Sequence, residues 1–332
     1  MSVLLAVDGG QGATRMRLVV DGAAVHEWRV APGRPGDQPD AVLVAMSEDV
    51  ATALQQGGLP APMVLSAGMT GFHGAVTGAD RVLASYGALG VVRVVLATDA
   101  VTSLLGAVGV VPGAVVAAGT GTIVLASDGK GRCERVDGWG STLGDDGSGY
   151  AVARAGLRAA FRSLDGRSGS EALRAAAERR YGSLNLLPAR VAGASDAVPL
   201  VAQFAEDVAQ LALEADPTAA DIWDRAGEDL ADSVAAAAVR VFGGISAARG
   251  SAISWAGALF RAGDLLVQPF QRGLARHGLP PAQPPVADGL AGAVALARSG
   301  VPELFPALAQ SAATIPDPAP RSTNRSTMRS SS

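Results

Sequence analysis

Cysteine and histidine are scarce in this chain of 332 residues, with one of the first and three of the second. A single cysteine, Cys133, closes no internal disulfide and builds no thiolate cluster within one chain. His26, His73 and His277 stand far apart without the spacing of a metal-ligand set, so each reads as a surface or loop residue. Excess positive charge is lacking too: 27 Lys and Arg against 31 Asp and Glu leave a net charge of −4. There is therefore no basic footprint for nucleic acid or an anionic membrane. Long apolar runs are missing as well. The most apolar region, 91–126, is broken by Arg93, Asp99, Pro112 and several glycines, short of the roughly 20 residues a membrane helix needs. The opening MSVLLAVDGG is too short in its apolar run, and too acidic after it, for a signal peptide. The expectation is a reduced, cytoplasmic protein without nucleic-acid or membrane partners. At 48% hydrophobic and 17% charged, it has material for a real core, in two domains or one large one.

What the chain does have is glycine, 42 residues of it, placed between short apolar runs. Ser2–Val7 reads as a strand ending in Asp8-Gly9-Gly10. Arg15–Val20 alternates and ends at Asp21-Gly22, a hairpin signal, and a third strand follows over Ala24–Val30. From residue 114 the same order recurs: AVVAA, the turn GTGT, IVLAS, the hairpin DGKG, then RCERV. Five matching features predict a duplicated unit. Strands over 62–67 and 91–97 and helices over 40–57 and 100–108 complete the first half. The second half predicts helices over 149–163, 170–181, 196–215, 221–242, 261–277 and 286–299, with a strand at SAISW (251–255). Ser148 is the expected N-cap of the first of these. Residues 316–332 lack apolar content and are expected to be disordered.

Three glycine turns and two acids offer chemistry. In Asp8-Gly9-Gly10-Gln11-Gly12-Ala13-Thr14 the glycines expose backbone N–H groups to an anion, and Thr14 adds a hydroxyl. Asp8 is suited to hold Mg²⁺ through its water shell. Gly119-Thr120-Gly121-Thr122 repeats the turn in the second half, and two such turns would clasp a nucleotide between them. Ala256-Gly257-Ala258 allows close backbone approach to a flat ligand, or ordinary strand–helix packing. Asp99, between a strand and a helix, reads either as a helix cap or as a general base at the edge of a sheet. The stretch GWGSTLGDDGSGY (138–150) sets Asp145 beside Asp146 among glycines. A metal site, a base, a sugar clamp and a capped loop all fit that pattern.

These pieces, VDGG…T (7–14), TDA (98–100), AAGTGT (117–122), GWGSTLGDDGSGY and WAGALF (255–260), together resemble a known family. It is the N-acetylglucosamine kinase-like branch of the BadF/BadG/BcrA/BcrD ATPase family, within the actin/hexokinase/Hsp70 ATPase superfamily. The motifs occur in family order over about 1–300. The resemblance implies an α/β chain of two ribonuclease H-like domains with ATP and Mg²⁺ in the cleft between them. Residues 1–112, with a returning segment at about 286–312, would form one domain and 113–285 the other. The implied reaction is phosphoryl transfer to a hydroxyl of N-acetylglucosamine or a related amino sugar. On this reading Gly10, Gln11, Gly12 and Thr14 line the first phosphate turn. Thr120, Gly121 and Thr122 line the second, with Thr120 also near the sugar, and Gly257 and Ala258 border the adenosine. Asp99 becomes the base, while Gly138, Trp139 and Asp145 contact the sugar. Asp146 is left a solvated or capping neighbour, and a homodimer is an open expectation.

The chain departs from the family pattern in places. Gly12 stands where the first turn usually has threonine, and Ala13 follows it. The adenosine turn is Ala-Gly-Ala instead of Gly-Gly. The loop APGRPGDQP (31–39) lacks the asparagine that amino-sugar kinases present to substrate; Arg34 and Asp37 are the polar residues there. Gly12 and Ala13 lend weight to a non-catalytic sugar or nucleotide sensor of the same fold, whereas retention of Asp8 and Asp99 opposes it. The family's iron–sulfur dehydratase activators need two cysteines per chain, which Cys133 alone cannot supply.

Overall fold

The computed structural model describes residues 1–10, 13–31, 33, 36–72 and 74–314. The expectations placed on Gln11, Gly12, Arg34, His73 and the 316–332 tail lie outside the described residues. Strands β1 (Val3–Gly9), β2 (Thr14–Val20) and β3 (Ala23–Val30) form an antiparallel meander. The β2–β3 turn has φ 47° at Asp21 and 86° at Gly22, the pair of positive values that a tight hairpin matched to strand twist requires. Strands β4 (Val64–Met69) and β5 (Arg93–Thr98) continue the sheet in parallel from β1.

The second half repeats this plan. β6 (Gly113–Ala118), β7 (Thr122–Ser127) and β8 (Cys133–Asp137) make a meander, and β9 (Ala252–Ala256) pairs with β6 in parallel. The repeated sequence pattern is thus a repeated topology. One strand had no sequence signal: β10 (Ala309–Ala313) returns to pair antiparallel with β5. The sheets run β10-β5-β4-β1-β2-β3 and β8-β7-β6-β9, so the fold class is α/β with two sheets.

The Asp99–Ala107 helix lies between them and touches strands of both. Its residues Ala100, Val101, Leu104 and Leu105 share one buried cluster with Val95, Val115 and Leu125. The Gly289–Leu296 helix crosses it and rests on β1 and β4. The crossing is close because it is made through glycine. A Cβ at Gly292 would overlap the carbonyl of Thr102, and one at Gly106 the carbonyl of Asp288. Separate clusters fill the outer face of each sheet.

Several helices differ from expectation. The 40–57 helix breaks at Met46 into Pro39–Ala45 and Ser47–Gln56, where the Ser47 hydroxyl donates to Val44 O. The 196–215 helix divides into Ala197–Ala202 and Ala205–Leu213, turning on fully buried Phe204. The 261–277 helix divides at Gly263, φ 61°, into a short turn over Ala258–Ala262 and a helix over Asp264–Arg276. Helices at Ala79–Tyr86 and Leu187–Gly193 were not foreseen. Among the described residues no helix is long and apolar enough to cross a membrane.

Candidate active site

Three parallel strands of the first sheet end in register. Asp8 lies opposite Gly68, Gly9 opposite Met69, and Met69 opposite Thr98. Asp8, Thr70 and Asp99 therefore emerge at one edge, with the outer two strands about 10 Å apart at ordinary strand spacing. The carboxylate of Asp99 accepts the Ala100 N–H and its own N–H at the start of its helix, and the Thr70 hydroxyl donates to it. Asp99 is half-buried. Burial above all, and then the charge of Asp8, push its pKa up to about 6 despite those hydrogen bonds. A carboxylate in that range, partly open to solvent, suits a general base near neutral pH. The N-cap of this helix is Thr98, without a side-chain cap bond, and Asp99 is its first residue, an acid in the first turn and not the capping residue of the alternative reading.

Asp8 is held from two sides. Arg15 donates to its Oδ2 at 2.6 Å, and the other Arg15 nitrogen reaches Asp288 at 2.9 Å. Asp288 caps the Gly289–Leu296 helix by accepting the Ala291 N–H at 3.0 Å. A Cβ at Gly289 would come within 2.7 Å of Asp8 Oδ1, so the helix N-terminus abuts that oxygen, where its dipole favours negative charge. For Mg²⁺ the donor set fits in one respect. Arg15 occupies one oxygen of Asp8, no side-chain donor to Oδ1 is found among the described residues, and the repulsion between Asp8 and Asp99 is of the kind a cation relieves. Among the described residues no group of three or more His, Cys, Asp or Glu could hold a metal alone. That suits an ion carried mainly by phosphates and water.

The glycine turns sit on these edges. Gly10 N–H donates to Ala13 O at 3.1 Å, closing the first turn over Thr14, which is buried. In the second turn Gly119 N–H donates to Gly121 O at 2.8 Å. The carbonyls of Gly119 and Thr120 take the N–H groups of Gly149 and Tyr150 at 2.8 and 3.1 Å. The turn is thereby joined to the start of the Gly149–Leu164 helix, which Ser148 caps through the Ala151 N–H as expected. The Thr122 hydroxyl is buried without a hydrogen-bond partner among the described residues. Gly257, φ 97°, follows β9 so closely that a Cβ would overlap the Ala118 carbonyl. It and Ala258 are exposed beside the second turn, backed by the stacked rings of Trp255 and Phe260 at 5.4 Å. Ile123 and Ala256, from this edge, pack on the cluster containing Ala100 and Val101. The second edge therefore borders the same buried cluster as the Asp99–Ala107 helix.

The 138–150 loop is organised by a residue the sequence did not single out. Asp137, φ 61°, accepts the N–H of Asp145 on Oδ1 and of Asp146 on Oδ2, each at 2.8 Å. Asp145 is buried, with φ 60°. Its carboxylate accepts the backbone N–H groups of Thr122 and Gly140. Burial first, with Asp137 and Asp146 adding, still raises its pKa. It is a strut between loop and second turn, and a Cβ at Gly121 would crowd its Oδ2 at 2.7 Å. Gly138 lies against Ile123. Trp139 is 65% exposed with the Arg135 guanidinium 4.4 Å above its ring. Asp146 is exposed, and its charge contributes, after burial, to raising Asp229 to about 6.

The structure thus groups Asp8 with Asp99, and Thr120–Thr122 with Gly138 and Asp145, while Trp139 stands outward. A Cβ at Gly71, just past β4, would lie 4.0 Å from the Asp37 carbonyl oxygen, so the backbone of Asp37 runs near this edge. Ser66 is spent on the returning helix, its hydroxyl donating to Ala293 O at 2.6 Å. Thr70, Arg15, Asp288 and Asp137 were missed. Thr70 stands one residue past the observed end of β4, which runs two residues beyond the strand expected over 62–67.

Comparison with known proteins follows this geometry. A candidate N-acetylglucosamine kinase of Chromobacterium violaceum has a similar solved structure, with TM-score 0.70 and 27% identity, covering 90% of this chain and 99% of that one. Another from Porphyromonas gingivalis aligns at TM-score 0.68 and 15% identity, over 89% and 98%. A Streptomyces griseus ROK family glucokinase, solved with glucose and AMPPNP, aligns at TM-score 0.54 and 18% identity, over 90% and 100%. At the identities of these last two the likeness concerns the fold, which is that of actin-like ATPases. An N-acetylmuramic acid/N-acetylglucosamine kinase of Clostridium acetobutylicum is 42% identical over 55 residues. That match spans 17% of this chain and only 18% of the relative. The family model for BadF/BadG/BcrA/BcrD ATPases matches residues 5–274, and the chain belongs to that family.

Proposed function

We propose that this protein is an ATP-dependent carbohydrate kinase that transfers the γ-phosphoryl group to the 6-hydroxyl of N-acetylglucosamine or a related amino sugar. The observation that carries this reading is the position of Asp99. It is a half-buried carboxylate raised to about 6, hydrogen-bonded by Thr70, on the strand edge it shares with Asp8. Asp99 accepts the proton of the attacking hydroxyl and orients that oxygen toward the phosphoryl group. Thr70 and the Ala100 N–H keep the carboxylate pointed. Asp8, steadied by Arg15, is the residue that would hold Mg²⁺. Bound Mg²⁺ supplies neutralisation of the phosphate charge that shifts during transfer. Gly10, Gln11, Gly12 and Thr14 receive phosphate in the first turn, Thr120, Gly121 and Thr122 in the second, and Gly257 and Ala258 the adenosine. Gly138, Trp139 and Asp145 contribute the sugar side, with Asp145 acting partly through the turn it braces. Residues 1–112 with 286–312, and 113–285, act as two lobes that close over both substrates and exclude water.

The test is coupled ADP release against a panel of hexoses and hexosamines. Sugar-dependent release, highest with an N-acetylated hexosamine, is expected. The competing reading, a non-catalytic sensor, draws on Gly12 and Ala13 in the first turn. Binding of sugar and nucleotide without turnover would favour that reading.

A further inference from the structure

We infer that Asp137 is a positioning residue that sets the shape of the loop presented to the sugar; this rests on the kinase reading above. It ends β8 in the left-handed backbone region, φ 61°, where aspartate is tolerated better than most non-glycine residues. Its side chain is buried, 9% exposed. The described residues show no cation paired with it; its two oxygens instead take two consecutive backbone N–H groups, from Asp145 and Asp146, at 2.8 Å each. Residues 138–144 are thereby closed into a ring. The approach is tight enough that a Cβ at Gly144 would collide with Asp137 Oδ1.

The consequence reaches the ligand side of the loop. Holding both N–H groups fixes Asp145 at φ 60° and turns its carboxylate onto the N–H groups of Thr122 and Gly140. One buried carboxylate thus orients a second, and the second ties the sugar loop to the phosphate turn. Without Asp137 the buried Asp145 N–H has no acceptor, and the loop must rearrange to find one. Asp137 touches neither substrate in this scheme; it acts through Asp145 and the Gly138–Gly140 backbone.

Two variants separate this role from plain folding. Asp137→Asn keeps the shape but presents an NH₂ to one of the two N–H groups. Asp137→Gly removes both acceptors at a backbone angle glycine adopts without strain. With the full-length protein, Asp137→Asn should raise the sugar KM by about tenfold, and Asp137→Gly by more. The kcat should stay within about threefold, because the carboxylate that accepts the proton is elsewhere. Asparagine retaining more sugar affinity than glycine is part of the expectation. A fall in kcat with an unchanged sugar KM would overturn the inference and make Asp137 a stability residue only. If the wild type itself shows no sugar-dependent ADP release, the kinase reading fails, and amide hydrogen exchange judges the loop claim. Faster exchange confined to 138–146 in Asp137→Asn would uphold it, and unchanged exchange there would reject it.

Discussion

At the scale of single residues, Asp99 carries a folding cost that the proposed chemistry would put to use. Its folded-state pKa, about 6, stands above the ordinary carboxylate value of 3.8, so the ionised form is disfavoured in the folded protein. The sign follows: the cost is absent below pH 4, grows as pH rises, and is complete above 6. Asp99→Asn, which keeps an acceptor for Thr70 and the Ala100 N–H, should therefore raise Tm at pH 8, with the gain vanishing near pH 4 in a thermal scan. The same variant should lose turnover by about 10²–10⁴-fold, the usual share of a general base, while calorimetry still finds nucleotide binding. In the wild type, kcat/KM should fall as pH drops through about 6 and be flat above it. Asp8 and Asp99 were legible in the sequence because each ends an apolar strand run before a turn or helix. Asp137 was not. In RCERVDGW it looks like one more Asp-Gly turn, and the N–H groups it holds lie eight and nine residues further on. Thr70 matters only because β4 runs between β1 and β5, a placement set by the sheet and not by its neighbours in sequence.

At the scale of elements, short strands were legible from alternation and Asp-Gly turns, while packing decided the rest. β10 (AQSAA) has no β-branched or aromatic residue. It is a strand because the free edge of β5 offers it a ladder. The split of 40–57 depends on a local bond from Ser47, and the split of 196–215 on where Phe204 must be buried. The crossing of the Asp99–Ala107 and Gly289–Leu296 helices carries a sharper consequence. It brings Gly289 against Asp8, so its closeness bears on the site as well as the core. Gly292→Ala should overpack the crossing and destabilise the fold by about 1–3 kcal/mol, read as a lower urea midpoint with an unchanged slope.

At the scale of the whole molecule, the repeated strand–turn–strand order in the sequence emerges as two sheets built on one plan. The Asp99–Ala107 helix lies between them and contacts strands of both. If the proposed kinase reading holds, closure around two substrates would turn about the Asp99–Ala107 helix, which touches strands of both sheets. Sugar together with a non-hydrolysable ATP analogue should lower the radius of gyration in solution scattering, and neither ligand alone should do so fully. The central claim is that the two edges form one site for phosphoryl transfer to a sugar. It is tested most directly by ADP release measured with and without each member of a hexose and hexosamine panel. Release that depends on an N-acetylated hexosamine, and that Asp99→Asn lowers by about 10²–10⁴-fold, is the predicted result. ATP turnover indifferent to sugar, or none with any sugar, would contradict it.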